Sequence, residues 1–118
     1  MPSGSGIGAA IAKIPFVVAC STVMDETTSL ATLVLPIHAP FESWGDYEPR
    51  EGVHGLMQPV MQPVFKTKML GDVLLETGKK AASPPAFSAP DFHGYVRERW
   101  RGLHGRLGKG GSFESFWI

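Results

Sequence analysis

The stretch "PFVVACSTVMDETTSLATLVLP", Pro15 to Pro36, decides the fold. Its first part, Phe16–Cys20, is a continuous apolar run rich in β-branched side chains. Such runs suit a strand covered on both faces, as in a parallel sheet. Upstream, Ile7, Ile11 and Ile14 recur at helical spacing, and Pro15 halts that pattern. Downstream, Asp25 or Thr27 can cap a short helix whose Leu30 and Leu33 turn inward. A second apolar strand, Leu33–Pro36, ends on proline. Helix, strand, helix, strand in succession is an α/β pattern: a partial Rossmann-like segment with short parallel strands.

Beyond Pro36 the character changes. Prolines fall at 36, 40, 49, 59 and 63, and glycines at 45, 52 and 55. This spacing predicts a long ordered Pro/Gly-rich loop with one strand-compatible run, "GLMQPVMQPV". Its proline at every fourth position bars it from the middle of a sheet. Thr67–Lys80 has the pattern of a short helix, with Leu70, Val73 and Leu74 inward and Gly78 ending it. Ala81–Pro90 is a Pro-rich linker. A C-terminal amphipathic helix follows from Asp91 to Leu103, capped by Ser88. Phe92, Val96, Trp100 and Leu103, with Tyr95 beside them, form its apolar stripe, and Arg97, Arg99 and Arg101 lie off it. Glycines at 102, 105, 108, 110 and 111 dissolve the helical pattern before the aromatic tail "SFESFWI". Four parts result: a lead-in at 1–6, an α/β segment at 7–80, a linker at 81–90, and helix plus tail at 91–118.

Composition narrows the function classes. At 118 residues the chain is one domain at most. Glycine and proline together make about a fifth of it, so elements are short and turns many. Net charge is zero, which argues against a general nucleic-acid binder. Neutrality hides an acidic front, with five carboxylates against two basic residues in 1–50, and a basic rear, with seven basic against two acidic in 79–109. Cys20 is the single cysteine, so no intrachain disulfide or cysteine cage can form. No apolar run is long enough to span a bilayer. The N-terminus lacks a signal-peptide pattern, so an extracytoplasmic location would need another carrier.

Candidate sites follow from chemistry-bearing residues. "GSGIGA", Gly4–Ala9, fits a dinucleotide fingerprint in letters, but no strand precedes its first glycine. His38, Glu42, Asp46 and His54 are possible ligands for zinc or iron, or acid–base groups. Their spacing matches no compact metal signature. The competing expectation is a structural loop in which Glu42, Trp44, Gly45 and Asp46 brace a turn, the carboxylates bonding backbone amides. Cys20, at the end of a buried-looking strand, has no local histidine to activate it. The arginine and aromatic mixture of the rear helix suits either nucleic acid or a partner protein, and neutral net charge favours the partner. The tail aromatics either complete the core or mark an interface. Together, Tyr95, Arg97, Trp100, Arg101, Phe113, Phe116 and Trp117 form a candidate partner surface.

The segment from Pro15 to Pro49 resembles the late part of molybdopterin oxidoreductase catalytic subunits. The resemblance rests on the apolar strand Phe16–Cys20, the pair Glu26–Thr27, Leu30–Ala31, Val34–Leu35–Pro36, and Glu42 three residues before Gly45. The stretch "FESWGDYEPREGVHGLMQPVMQPVFKTKMLGDVLLE", with "YVRERW" and "SFESFW", is similar to the molybdopterin-like part of the large iron–sulfur subunit of alternative complex III. The resemblance spans roughly 7–118 but only an internal slice of such a subunit. It implies a cofactor-less scaffold in a membrane-associated, quinol-oxidising complex on the periplasmic face of the bacterial inner membrane. Iron–sulfur clusters and haem would then lie in partner chains, with no nucleic acid bound and no membrane span in this chain. Ser21 stands where the family's cofactor-contacting Asp would be, and Asp46–Tyr47–Glu48 and Gly52–Val53 replace its Asn and Gly-Arg. No cofactor or catalytic residue is carried over. A stand-alone interaction module using helix 91–104 and the aromatic tail is the alternative. No nucleophile–base pair marks the chain as an enzyme on its own.

Overall fold

A computed structural model of the chain describes residues 5–81, 87–108 and 110–117. Most of the lead-in, Gly4 of the fingerprint, the middle of the linker and Ile118 lie outside these residues. The architecture is α/β, with short strands in two small sheets and helices around them.

The parallel pair forms as expected. Strand β1 (Val18–Ser21) lies beside β2 (Leu33–Pro36), with Val18 opposite Leu33 and Ser21 opposite Pro36. Thr32 fixes the entry: Val17 N donates to Thr32 Oγ1 at 3.1 Å, and Thr32 N donates to Val17 O at 2.8 Å. A parallel bridge joins Ile37 to Lys68, so β2 is flanked on both sides. The preceding helix α1 (Ile7–Ile11) is shorter than its pattern. The crossover is a single 3₁₀ turn, Thr28–Leu30, not a helix. Asp25 supports it, accepting from Thr28 N at 2.6 Å, whereas Thr27 makes no capping bond through its side chain. One turn is too short to cover the sheet. Leu30, Leu33 and Cys20 are therefore exposed, against the expectation of inward packing.

The loop region holds a hairpin in place of a lone strand. Strands β3 (Gly45–Arg50) and β4 (Val53–Met57) pair antiparallel, with an irregularity between Tyr47 and Arg50. Pro49 is tolerated because it sits at that break. Gly52, at φ 77°, turns the chain back. The expected run Gly55–Val64 is strand only to Met57, and the second "MQPV" is irregular.

Two helices complete the chain's rear. Helix α2 (Leu70–Ala81) runs straight through Gly78 and buries Leu75, while Leu70 and Leu74 stay exposed. Helix α3 (Phe92–Leu107) starts on Asp91, whose carboxylate accepts from Gly94 N at 2.7 Å; Ser88 is not the cap. It continues past Gly102 and Gly105 and ends at Gly108, which takes the left-handed φ of 58°. Val96, Trp100 and Leu103 form the buried stripe, with Leu56, Phe92 and Tyr95 against it. The last helix, α4 (Phe113–Trp117), packs its aromatics onto the same cluster. Asp72 of α2 accepts from Phe92 N at 2.7 Å and so sets where α3 begins. Gly71 lets the two helices meet: a Cβ there would stand 2.0 Å from the Phe92 ring.

Candidate functional site

The loop residues and the helix-and-tail residues converge on one cluster. Trp44 leaves β2's exit loop just ahead of β3. Its ring centroid lies 4.4 Å from that of His93 on α3 and 5.7 Å from that of Trp117 on α4. Asp46, on β3, accepts from Trp100 Nε1 at 3.2 Å and pairs with Arg99 Nε at 3.1 Å through the same oxygen. Trp100 is buried and contacts Phe116 and Trp117 ring to ring. Arg97 Nη2 meets both carboxylate oxygens of Glu114 at 2.6 Å, which ties α3 to α4. Arg101 lies over the Phe113 ring at 4.9 Å. Tyr95 packs at the cluster's margin and stacks on Phe92.

Glu42 acts one layer deeper. It is buried, and its two oxygens accept from Ala39 N at 2.9 Å and Val64 N at 3.0 Å. Those two amides hold its carboxyl below the usual carboxylate range. Glu42 thus bonds backbone amides, whereas Asp46 bonds side chains. Gly45 opens β3 opposite Met57. His38 Nε2 lies 3.2 Å from Thr67 O, which ties the loop to the segment beside β2. His54 sits on the hairpin, 3.7 Å from Glu48. The four residues considered as ligands thus have separate partners. Among the described residues no group of three or more His, Cys, Asp or Glu side chains is placed to hold a metal.

Ser21 Oγ donates to Val23 O at 2.7 Å and closes a local turn. Glu42 and Asp46 are spent as described. A cavity of about 300 Å³ at the end of β2 is lined by Lys66, Lys68 and Lys80, with Glu76 paired to Lys68. His93, Arg99 and Glu114 complete the cluster and were not foreseen as members. The arginine could have been sought from Asp46, a half-buried carboxylate that needs a cation or donor. No helix among the described residues is long and apolar enough to cross a membrane.

No family model matches the chain, and no solved structure matches it. Over 84 residues it is 38% identical to the menaquinone reductase, molybdopterin-binding-like subunit of Nitratidesulfovibrio vulgaris Hildenborough. The match takes in 68% of this chain and 12% of that protein, so the chain spans a small part of the relative's length. The chain thus belongs to the molybdopterin oxidoreductase-like family of that subunit.

Proposed function

We propose that this chain is a structural part of a quinone-linked electron-transfer complex, acting as scaffold and carrying no redox centre of its own. The similarity to a menaquinone reductase subunit supports the reading most directly. The chemistry of the cluster supports it too: Glu42, Asp46, Arg97 and Arg99 all hold backbone or side chains of this chain. None is left facing a cleft as an acid, base or nucleophile. Iron–sulfur and haem centres belong, in this reading, to partner chains at the periplasmic face of the membrane. An alternative-complex-III-like role has the complex oxidise quinol, whereas the relative's name puts menaquinone on the receiving side of the electrons. The scaffold role is the same for both directions.

Mass spectrometry of the native particle tests the proposal. Co-purifying haem and iron–sulfur chains are the expected result, with less than one equivalent of iron or flavin in this chain once separated. A chain that purifies alone, or that retains a stoichiometric redox group, refutes it.

A further inference from the structure

The parallel sheet has one edge with which no strand pairs among the described residues. Val17 O accepts from Leu33 N at 3.1 Å and Ser21 O accepts from Ile37 N at 3.2 Å, so these peptide groups face β2. Strand alternation turns the peptide groups of Val18 and Cys20 the other way. Among the described residues no strand pairs with that side of β1. Around it Ile14, Phe16, Val18, Val23 and Met24 are all exposed, Phe16 at 60% and Met24 at 69%. A parallel strand is normally covered on both faces, and an exposed apolar edge is a template for pairing.

The total surface is larger than a self-contained chain of this mass exposes. The chain exposes 8408 Å². A self-contained protein of its mass, 12.8 kDa, exposes roughly 6,300 Å². The surplus of roughly 2,000 Å², shared between this edge and other exposed apolar residues such as Phe41, Val60 and Phe65, leaves room for an interface of obligate size.

We infer that the outer edge of β1 receives a β-strand from a larger α/β polypeptide, the remainder of a molybdopterin-binding-like subunit, whose apolar side chains cover Phe16, Val18 and Met24. The choice of occupant rests on the scaffold reading above and on the match to only 12% of the relative's length. A strand donor of α/β construction extends the sheet and covers its faces together, as the residues demand.

Cys20, the single cysteine, sits on this edge and is exposed in the chain alone. Its alkylation by N-ethylmaleimide is therefore a reporter. In the native particle it should be slowed at least about tenfold relative to the isolated 118-residue chain, because a thiol reacts only where reagent reaches it. Equal rates in a particle that does contain redox-bearing chains overturn the strand-edge inference and leave the scaffold reading standing. Absence of any partner chain removes both. A Cys20–Cys20 cross-linked dimer under mild oxidation overturns it in favour of a second copy. Val18→Pro gives an independent check, since it deletes an outward N–H and leaves the β1–β2 ladder intact. It should cut incorporation into the particle about tenfold or more while the isolated chain keeps its helical circular dichroism. Incorporation equal to the parent chain's overturns the inference.

Discussion

One oxygen of Asp46 serves both Trp100 and Arg99, so a single carboxylate pins the hairpin to α3. The indole N–H lies on a buried residue, and losing its acceptor leaves it unsatisfied. Asp46→Ala should cost about 1–3 kcal/mol in urea denaturation. Asp46→Asn, which keeps an acceptor at that position, should recover most of it. An Ala variant as stable as the parent would mean that Trp100 Nε1 finds water instead. Glu42 adds a pH signature. Two backbone amides hold its folded carboxyl below the ordinary 4.5, so ionisation favours the folded state. That stability is fully present above pH 4.5 and is lost as pH falls through the lowered folded value. Asp25, held down by the Thr28 amide, and Glu76, held down by Lys68, share the sign. Glu42→Gln should therefore lower the thermal midpoint at pH 7 and flatten, but not abolish, the loss of stability on acidification. An acid limb as steep as the parent's would show that Glu42 contributes none of it.

At the scale of elements, helix–helix approach is set by glycine at one point and indifferent to it at others. Gly71→Ala gains helix propensity yet drives a methyl into the Phe92 ring, and α2 cannot keep its place. It should destabilise by about 1–3 kcal/mol. Gly102→Ala and Gly105→Ala face open space on α3 and should each stabilise by about 0.5–1 kcal/mol. Thermal melts of the three variants separate these signs. The same contrast explains what sequence could show. The α3 stripe was plain from spacing because Val96, Trp100 and Leu103 bury together. Its end was not: Gly102 and Gly105 look like breakers, but only Gly108 takes the left-handed conformation that stops a helix. The parallel pair was readable from two apolar runs. The β3–β4 hairpin was hidden by Pro49, and Glu51–Gly52 between two alternating runs was the available clue. Glu42 bonds amides at Ala39, three residues away, and at Val64, and a carboxylate among prolines and glycines has such amides within reach. The Asp46–Trp100 bond spans 54 residues, and no local pattern encodes that.

For the whole molecule, the distribution of buried side chains predicts where stability resides. The radius of gyration is 17.9 Å, against about 13 Å for a compact chain of this length. The fully assembled core is the Val96–Trp100–Leu103 cluster with the aromatics of α4, while the β1–β2 pair buries almost nothing but Thr28 nearby. Local opening free energy follows buried apolar contact. In the isolated chain, amide hydrogen exchange should therefore be slowest in α3 around Val96–Leu103 and fast throughout Val18–Ser21. On assembly, the Val18 and Cys20 amides should slow most, since their N–H groups face the uncovered edge, while α3 changes little. The opposite pattern, with protection gained at Arg97–Arg101 and Trp117 and none at β1, would move the contact surface to the α3–α4 face.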